Sequence, residues 1–117
     1  MAVMDLESIY QQGFALRCEG RYPEARAELM KVLAVEPSHL RARHQIGLIQ
    51  GFEGDFEGSL ATLESLAKQN PNDLEVKYDL AMTQMMLGMY EEACALLREI
   101  LAVDPTNEKA LQQASYC

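Results

Sequence analysis

Positive charge is scarce in this chain: 10 lysines and arginines stand against 18 aspartates and glutamates, a formal charge of −8 over 117 residues. Such a field repels a phosphate backbone and argues against nucleic acid as a partner. Long apolar runs are also missing, although 49% of the residues are hydrophobic. No stretch approaches the length needed to cross a bilayer, so membrane insertion is not expected. The chain opens without a basic region leading into an apolar one, and nothing in it points to secretion. Cysteine is limited to Cys18, Cys94 and Cys117, an odd set without metal-ligand spacing. These read as reduced thiols in a cytoplasm rather than as an extracellular disulfide framework.

Catalytic residue types are equally sparse. His39 and His44 are the two histidines, five positions apart, a spacing that does not place them on one helical face. A metal pair on a helix prefers i, i+4. His39 reads as a solvated loop residue and His44 as a hydrogen-bonding group. Cys18 has Arg17 beside it but no histidine near it in sequence, so a reactive thiol is not expected. Glu91 and Glu92 open a helix, where acidic side chains favour the dipole. Gly47, Gly51 and Gly54 lie on or just after a helix and make no phosphate-cradling loop. No enzyme activity, no metal and no cofactor are expected.

What the chain does have is a period. Gly20, Gly54 and Gly88 are each 34 residues apart, as are Tyr22, Phe56 and Tyr90, and Pro37, Pro71 and Pro105. A fixed interval of this length means stacked supersecondary units. Gly13, Gly47 and Ala81 form a column of small residues. A second column is Ala25, Ser59 and Ala93, with Leu29, Leu63 and Leu97 one turn later. Small residues at these places let two helices approach closely, and the leucine fills the space between them. The glycine column marks the turn between the helices, and the proline column ends the second helix of each unit. The predicted helices are 6–19, 23–35, 40–53, 56–69, 74–87 and 90–103, with Pro23 tolerated in a first turn. Asn72-Asp73 and Thr106 are N-cap candidates, and Thr106 opens a short seventh helix.

These columns resemble the tetratricopeptide repeat, over residues 6 to 107. The second unit reads Ile46-Gly47, Gly54, Phe56, Ser59, Leu63 and Pro71, and the third Leu80-Ala81, Gly88, Tyr90, Ala93, Leu97 and Pro105. The first starts more loosely, with Gln12 before Gly13, and departs from the family at the opening aromatic, as do the others (Ile9, Arg43 and Lys77). The resemblance implies an all-α fold: a right-handed α-solenoid of three helix-turn-helix units plus a short C-terminal helix. Residues 1–117 are expected to form a single domain, with repeats 6–39, 40–73 and 74–107 and a terminal helix in 108–117. Formal charge falls from about −1 to −2 to −4 along the three repeats.

In the family the first helix of each pair lines a concave groove. The matching positions here are Tyr10, Gln11, Phe14 and Arg17 in the first repeat. The second supplies Arg41, His44, Gln45, Leu48 and Phe52, and the third Glu75, Tyr78, Asp79, Met82, Met85 and Met86, with Gln112 and Tyr116 as candidates beyond it. Each set follows spacings near 3, 4 and 7, so it lies on one helical face. Phe14, Leu48, Phe52 and the three methionines, with the bodies of Tyr10 and Tyr78, are expected to make one apolar patch. Patches of this kind usually mark a binding site, although packing between repeats is the competing role for each residue. The expected occupant is a protein or peptide with apolar anchors, guided by Arg17, Arg41, Gln45 and Asp79. Chaperone adaptors of the family hold a peptide carboxylate in a clamp whose positions here are Tyr10, Phe14, Gln45, Glu75 and Asp79. None of these is cationic, so an acidic chaperone tail is not expected to bind in that way.

The expected function is therefore a non-catalytic peptide-binding module acting as an adaptor or chaperone-like scaffold. Two alternatives stand beside it. One is a self-assembling element, a homodimer in which the unfinished C-terminal helix of one copy completes the stack of another. The other is a regulatory subunit or fragment of a larger enzyme complex.

Overall fold

In the computed structural model, which describes residues 5–117, the chain forms seven helices and, among the described residues, no strand. They are α1 (Leu6–Cys18), α2 (Tyr22–Val35), α3 (Leu40–Phe52), α4 (Phe56–Gln69), α5 (Leu74–Met86), α6 (Tyr90–Val103) and α7 (Glu108–Ala114). The first four residues of the expected domain lie outside the described range.

Punctuation sets these boundaries. Gly20, Gly54 and Gly88 have φ of 80, 90 and 78°, the left-handed conformation that a residue without Cβ adopts cheaply, and each closes the turn between two helices. Pro37, Pro71 and Pro105 each follow a second helix by two residues. At the other end, Asp5, His39, Asp73 and Asn107 cap α1, α3, α5 and α7 in turn. Their side chains accept from the amides of Ser8, Ala42, Val76 and Ala110, at 2.7 to 3.1 Å. These caps also recur every 34 residues, so α7 begins in the register of a first helix. Two expectations are corrected here. Asn107, not Thr106, is the cap of α7; the Thr106 hydroxyl instead donates to Asp104 at 3.3 Å. His39 is a half-buried cap whose ring lies tilted against Tyr10, with centroids 5.5 Å apart, not a solvated loop residue.

Packing follows the columns. Ala25, Leu29 and Val32 are buried on α2, Ser59, Leu63 and Leu66 on α4, and Ala93, Leu97 and Ile100 on α6. A Cβ added at Gly13 would stand 2.9 Å from Leu29, and one at Gly47 3.2 Å from Leu63, so the leucines occupy the space the glycines vacate. Each first helix packs on the second helix of its repeat, and α2, α4 and α6 pack onto the next first helix. The first helices also touch along the row, α1 with α3 and α3 with α5, which makes them the inner layer of the stack. The result is an elongated solenoid of 54 × 27 × 23 Å.

One feature of the stack departs from the cysteine reading. Cys94 on α6 and Cys117 beyond α7 form a disulfide, with Cα atoms 5.9 Å apart, and Cys18 is free and exposed. Spacing in sequence did not suggest this pair because the two residues meet only when α7 folds back along α6. The reading of three reduced thiols is thereby overturned.

Candidate functional site

The inner row of helices, closed at one end by the turn into α7, encloses an open groove of about 820 Å³. From α1 it takes Phe14 and Arg17. From α3 it takes His44 and Gln45, then Leu48 and Phe52, each of these about one turn further along the helix. From α5 come Leu74, Glu75, Tyr78 and Asp79, and the far wall is Asp104, Thr106 and the first residues of α7.

The apolar end lies on α1 and α3. Phe52 is 54% exposed, and its outward ring stacks on Tyr22 at 5.5 Å. Arg17 is held over the Phe14 ring at 5.1 Å and the Phe52 ring at 6.0 Å, while its Nε donates to Gln45 Oε1. That arrangement fixes the guanidinium against the two rings. The middle of the groove is bridged between repeats by His44 Nε2 and Asp79 Oδ2, 2.7 Å apart. This polar contact is half-buried, so it orients α3 against α5 as well as lining the floor. Lys109 of α7 lies over the Tyr78 ring at 5.5 Å, closing the acidic end.

Nine of the residues anticipated from sequence are thus brought together: Phe14, Arg17, His44 and Gln45, then Leu48, Phe52, Glu75, Tyr78 and Asp79. The others do not line it; Gln11 donates to Glu7 instead. Tyr10 is only 4% exposed and belongs to the core of the first repeat, against Phe14 and His39. Arg41 covers the Tyr10 ring at 4.2 Å and grips Glu7 with two hydrogen bonds of 3.0 and 3.1 Å. The pair lowers the Glu7 pKa through the Arg41 hydrogen bonds and raises that of Arg41 through the same contact. Met82 and Met85 pack against the cluster of Ala81, Ala93, Leu97, Ile100 and Ala110, because α7 supplies the last of these beside them. Met86 is exposed but outside the groove. The methionines therefore do not extend the apolar patch, which ends with Leu48 and Phe52.

The wall contributed by Asp104, Asn107, Glu108 and Lys109 was not anticipated. A signal for it existed in the fourth member of the capping column, Asn107, which shows that the register of a first helix continues past Pro105. Among the described residues no three His, Cys, Asp or Glu side chains are grouped to hold a metal ion. No helix among the described residues is long and apolar enough to cross a membrane.

Comparison with known proteins agrees with this architecture. The tetratricopeptide repeat family model matches residues 53–115, more than half of the chain. No curated protein matches the sequence. Among solved structures, MamA from Desulfovibrio magneticus RS-1 is 26% identical, with a TM-score of 0.83 over 96% of this chain and 63% of that one. YrrB, described as a TPR protein with an unusual peptide-binding site, is 19% identical, with a TM-score of 0.83 over 97% and 59%. The first TPR of Spaghetti (RPAP3), bound to the HSP90 peptide SRMEEVD, is 15% identical, with a TM-score of 0.85 over 95% and 88%. The chain thus spans less than two thirds of the length of the MamA and YrrB chains it matches.

Proposed function

Because the chain belongs to the tetratricopeptide repeat family, whose members are typically interaction modules, we propose that it is a non-catalytic protein-binding module. Its working surface is the groove on α1, α3 and α5, and its role is that of an adaptor or chaperone-like scaffold. The observation that carries this reading is the apolar floor of half-buried Phe14 and Leu48 and exposed Phe52 inside a concavity of about 820 Å³. Side chains of this kind facing water are costly unless something covers them, and a concave floor suits a helix or extended segment. The peptide-bound Spaghetti domain supports the mode of use, since its fold is the same.

The size of the groove sets the scale of binding. A segment across three repeats buries several hundred Å² per partner, less than a standard stable interface, which corresponds to affinity of roughly micromolar order. Truncating one central anchor should cost about 1–3 kcal/mol. A cytoplasmic location is the part of the expectation that the Cys94–Cys117 bridge opposes, since disulfides persist mainly in oxidising compartments. The test is a pull-down from the source cells with the native chain and a Leu48→Glu, Phe52→Glu variant of unchanged helicity. A partner retained by the first and lost by the second supports the groove. A partner retained equally by both moves the function to another face.

A further inference from the structure

We propose that the segment held in this groove belongs to a partner protein and carries lysine or arginine beside its apolar anchors. The inference rests on the groove reading above and adds to it the charge of the occupant. Its basis is the asymmetry of the cavity. One end is aromatic and aliphatic, with the one cation there, Arg17, committed to Gln45 and to the Phe14 and Phe52 rings. The other end presents the carboxylates of Glu75, Asp79, Asp104 and Glu108 around the same space.

Those carboxylates are short of cationic partners. Asp79 is hydrogen-bonded to His44. Among the described residues, Glu75, Asp104 and Glu108 take part in no ion pair, and the ammonium of Lys109 lies over the Tyr78 ring. An acidic segment would meet repulsion along this wall. A neutral one would leave the carboxylates partly desolvated without compensation. A segment with apolar side chains on Leu48 and Phe52 and cations one or two turns away satisfies both ends at once. Apolar contact then supplies most of the affinity, and the carboxylates set the choice of partner and its direction through the groove.

The experiment is fluorescence anisotropy with three labelled amphipathic peptides that share one leucine and alanine pattern and carry Lys, Gln or Glu at every polar position. Each is titrated with the native chain, a Glu75→Gln, Glu108→Gln variant, an equally charged control (Glu57→Gln, Glu92→Gln, both exposed on second helices) and Leu48→Ser. The expected result is that the Lys peptide binds the native chain about three- to tenfold more tightly than the Gln peptide, the Glu peptide binding weakest. That preference should shrink in the groove variant and persist in the control. Equal binding of Lys and Gln peptides, both weakened by Leu48→Ser, overturns the charge inference while the groove reading stands. An equal loss in the control overturns it too, by assigning the effect to net charge. Binding that ignores Leu48→Ser overturns both readings. A concentration-dependent mass in sedimentation that the groove variant abolishes would seat a second copy in the groove and overturn the assignment to a foreign segment.

Discussion

Replacing Gln84 by methionine should make the protein more stable, although it removes a polar side chain from a fold of this regularity. Gln84 is buried on α5, and its Oε1 has no hydrogen-bond partner. One repeat earlier, at the matching position, Gln50 Oε1 accepts from Thr62 Oγ1 at 2.8 Å. The residue that matches Thr62 in the third repeat is Leu96, which has nothing to donate. The orphaned oxygen has lost its water without gaining a partner, a penalty of about 1–3 kcal/mol. Methionine has nearly the same length and flexibility and removes that penalty, for an expected gain of about 1 kcal/mol and a rise in Tm of about 4 °C. Gln50→Met is the internal reference. It breaks a made hydrogen bond and should lose about 1 kcal/mol at an equivalent place in the stack. Thermal and urea unfolding of the two variants measure both numbers. If the variants shift stability in the same direction by the same amount, hydrogen-bond satisfaction is not what distinguishes the two sites, and the reasoning fails.

Three further outcomes are expected. Gly51→Ala, whose Cβ would meet nothing closer than Ser59 Oγ at 3.4 Å, should stabilise by about 0.5–1 kcal/mol through helix propensity, whereas Gly13→Ala, at 2.9 Å from Leu29, should destabilise; denaturant midpoints decide both. Reducing the Cys94–Cys117 bridge, which spans 23 residues, should lower stability by up to about 3 kcal/mol and expose the amides of α7 to hydrogen exchange before those of the other helices, while identical exchange with and without dithiothreitol would oppose this. The Asp5 carboxyl, held below the usual carboxylate range by the Ser8 amide, favours the folded state above that range and loses its effect as pH falls through the lowered value. Asp5→Asn, which caps without titrating, should therefore flatten the acid limb of a Tm-against-pH curve.

The period made the architecture legible. Glycine, aromatic and proline columns place each of the first six helices to within about a residue, because turn and stop positions depend on local backbone chemistry that any copy of the repeat must satisfy. Side-chain direction within the inner layer was legible in part. In every repeat the period places some residues in the groove: Phe14 and Arg17, His44 and Leu48, Tyr78 and Asp79. Tyr10 in the first repeat turns inward to pack on Phe14 and His39, a cap whose ring is specific to that position. Met82 and Met85 are drawn into the cluster that Ala110 completes, and this depends on α7 folding back beside α6. Arg41 in the middle repeat likewise turns to Glu7 and the Tyr10 ring, so at these positions the direction is set by particular residues rather than by the period.

The central claim is that the groove on α1, α3 and α5 is the binding surface. The most direct measurement is amide chemical-shift mapping by NMR as the leucine, alanine and lysine peptide is titrated into the labelled chain. The account predicts that shifts concentrate around Phe14, His44, Leu48, Tyr78 and Asp79, with α2, α4 and the outer side of α6 little changed. Shifts concentrated on α2, α4 and α6, with the amides around Leu48 unmoved, would contradict it.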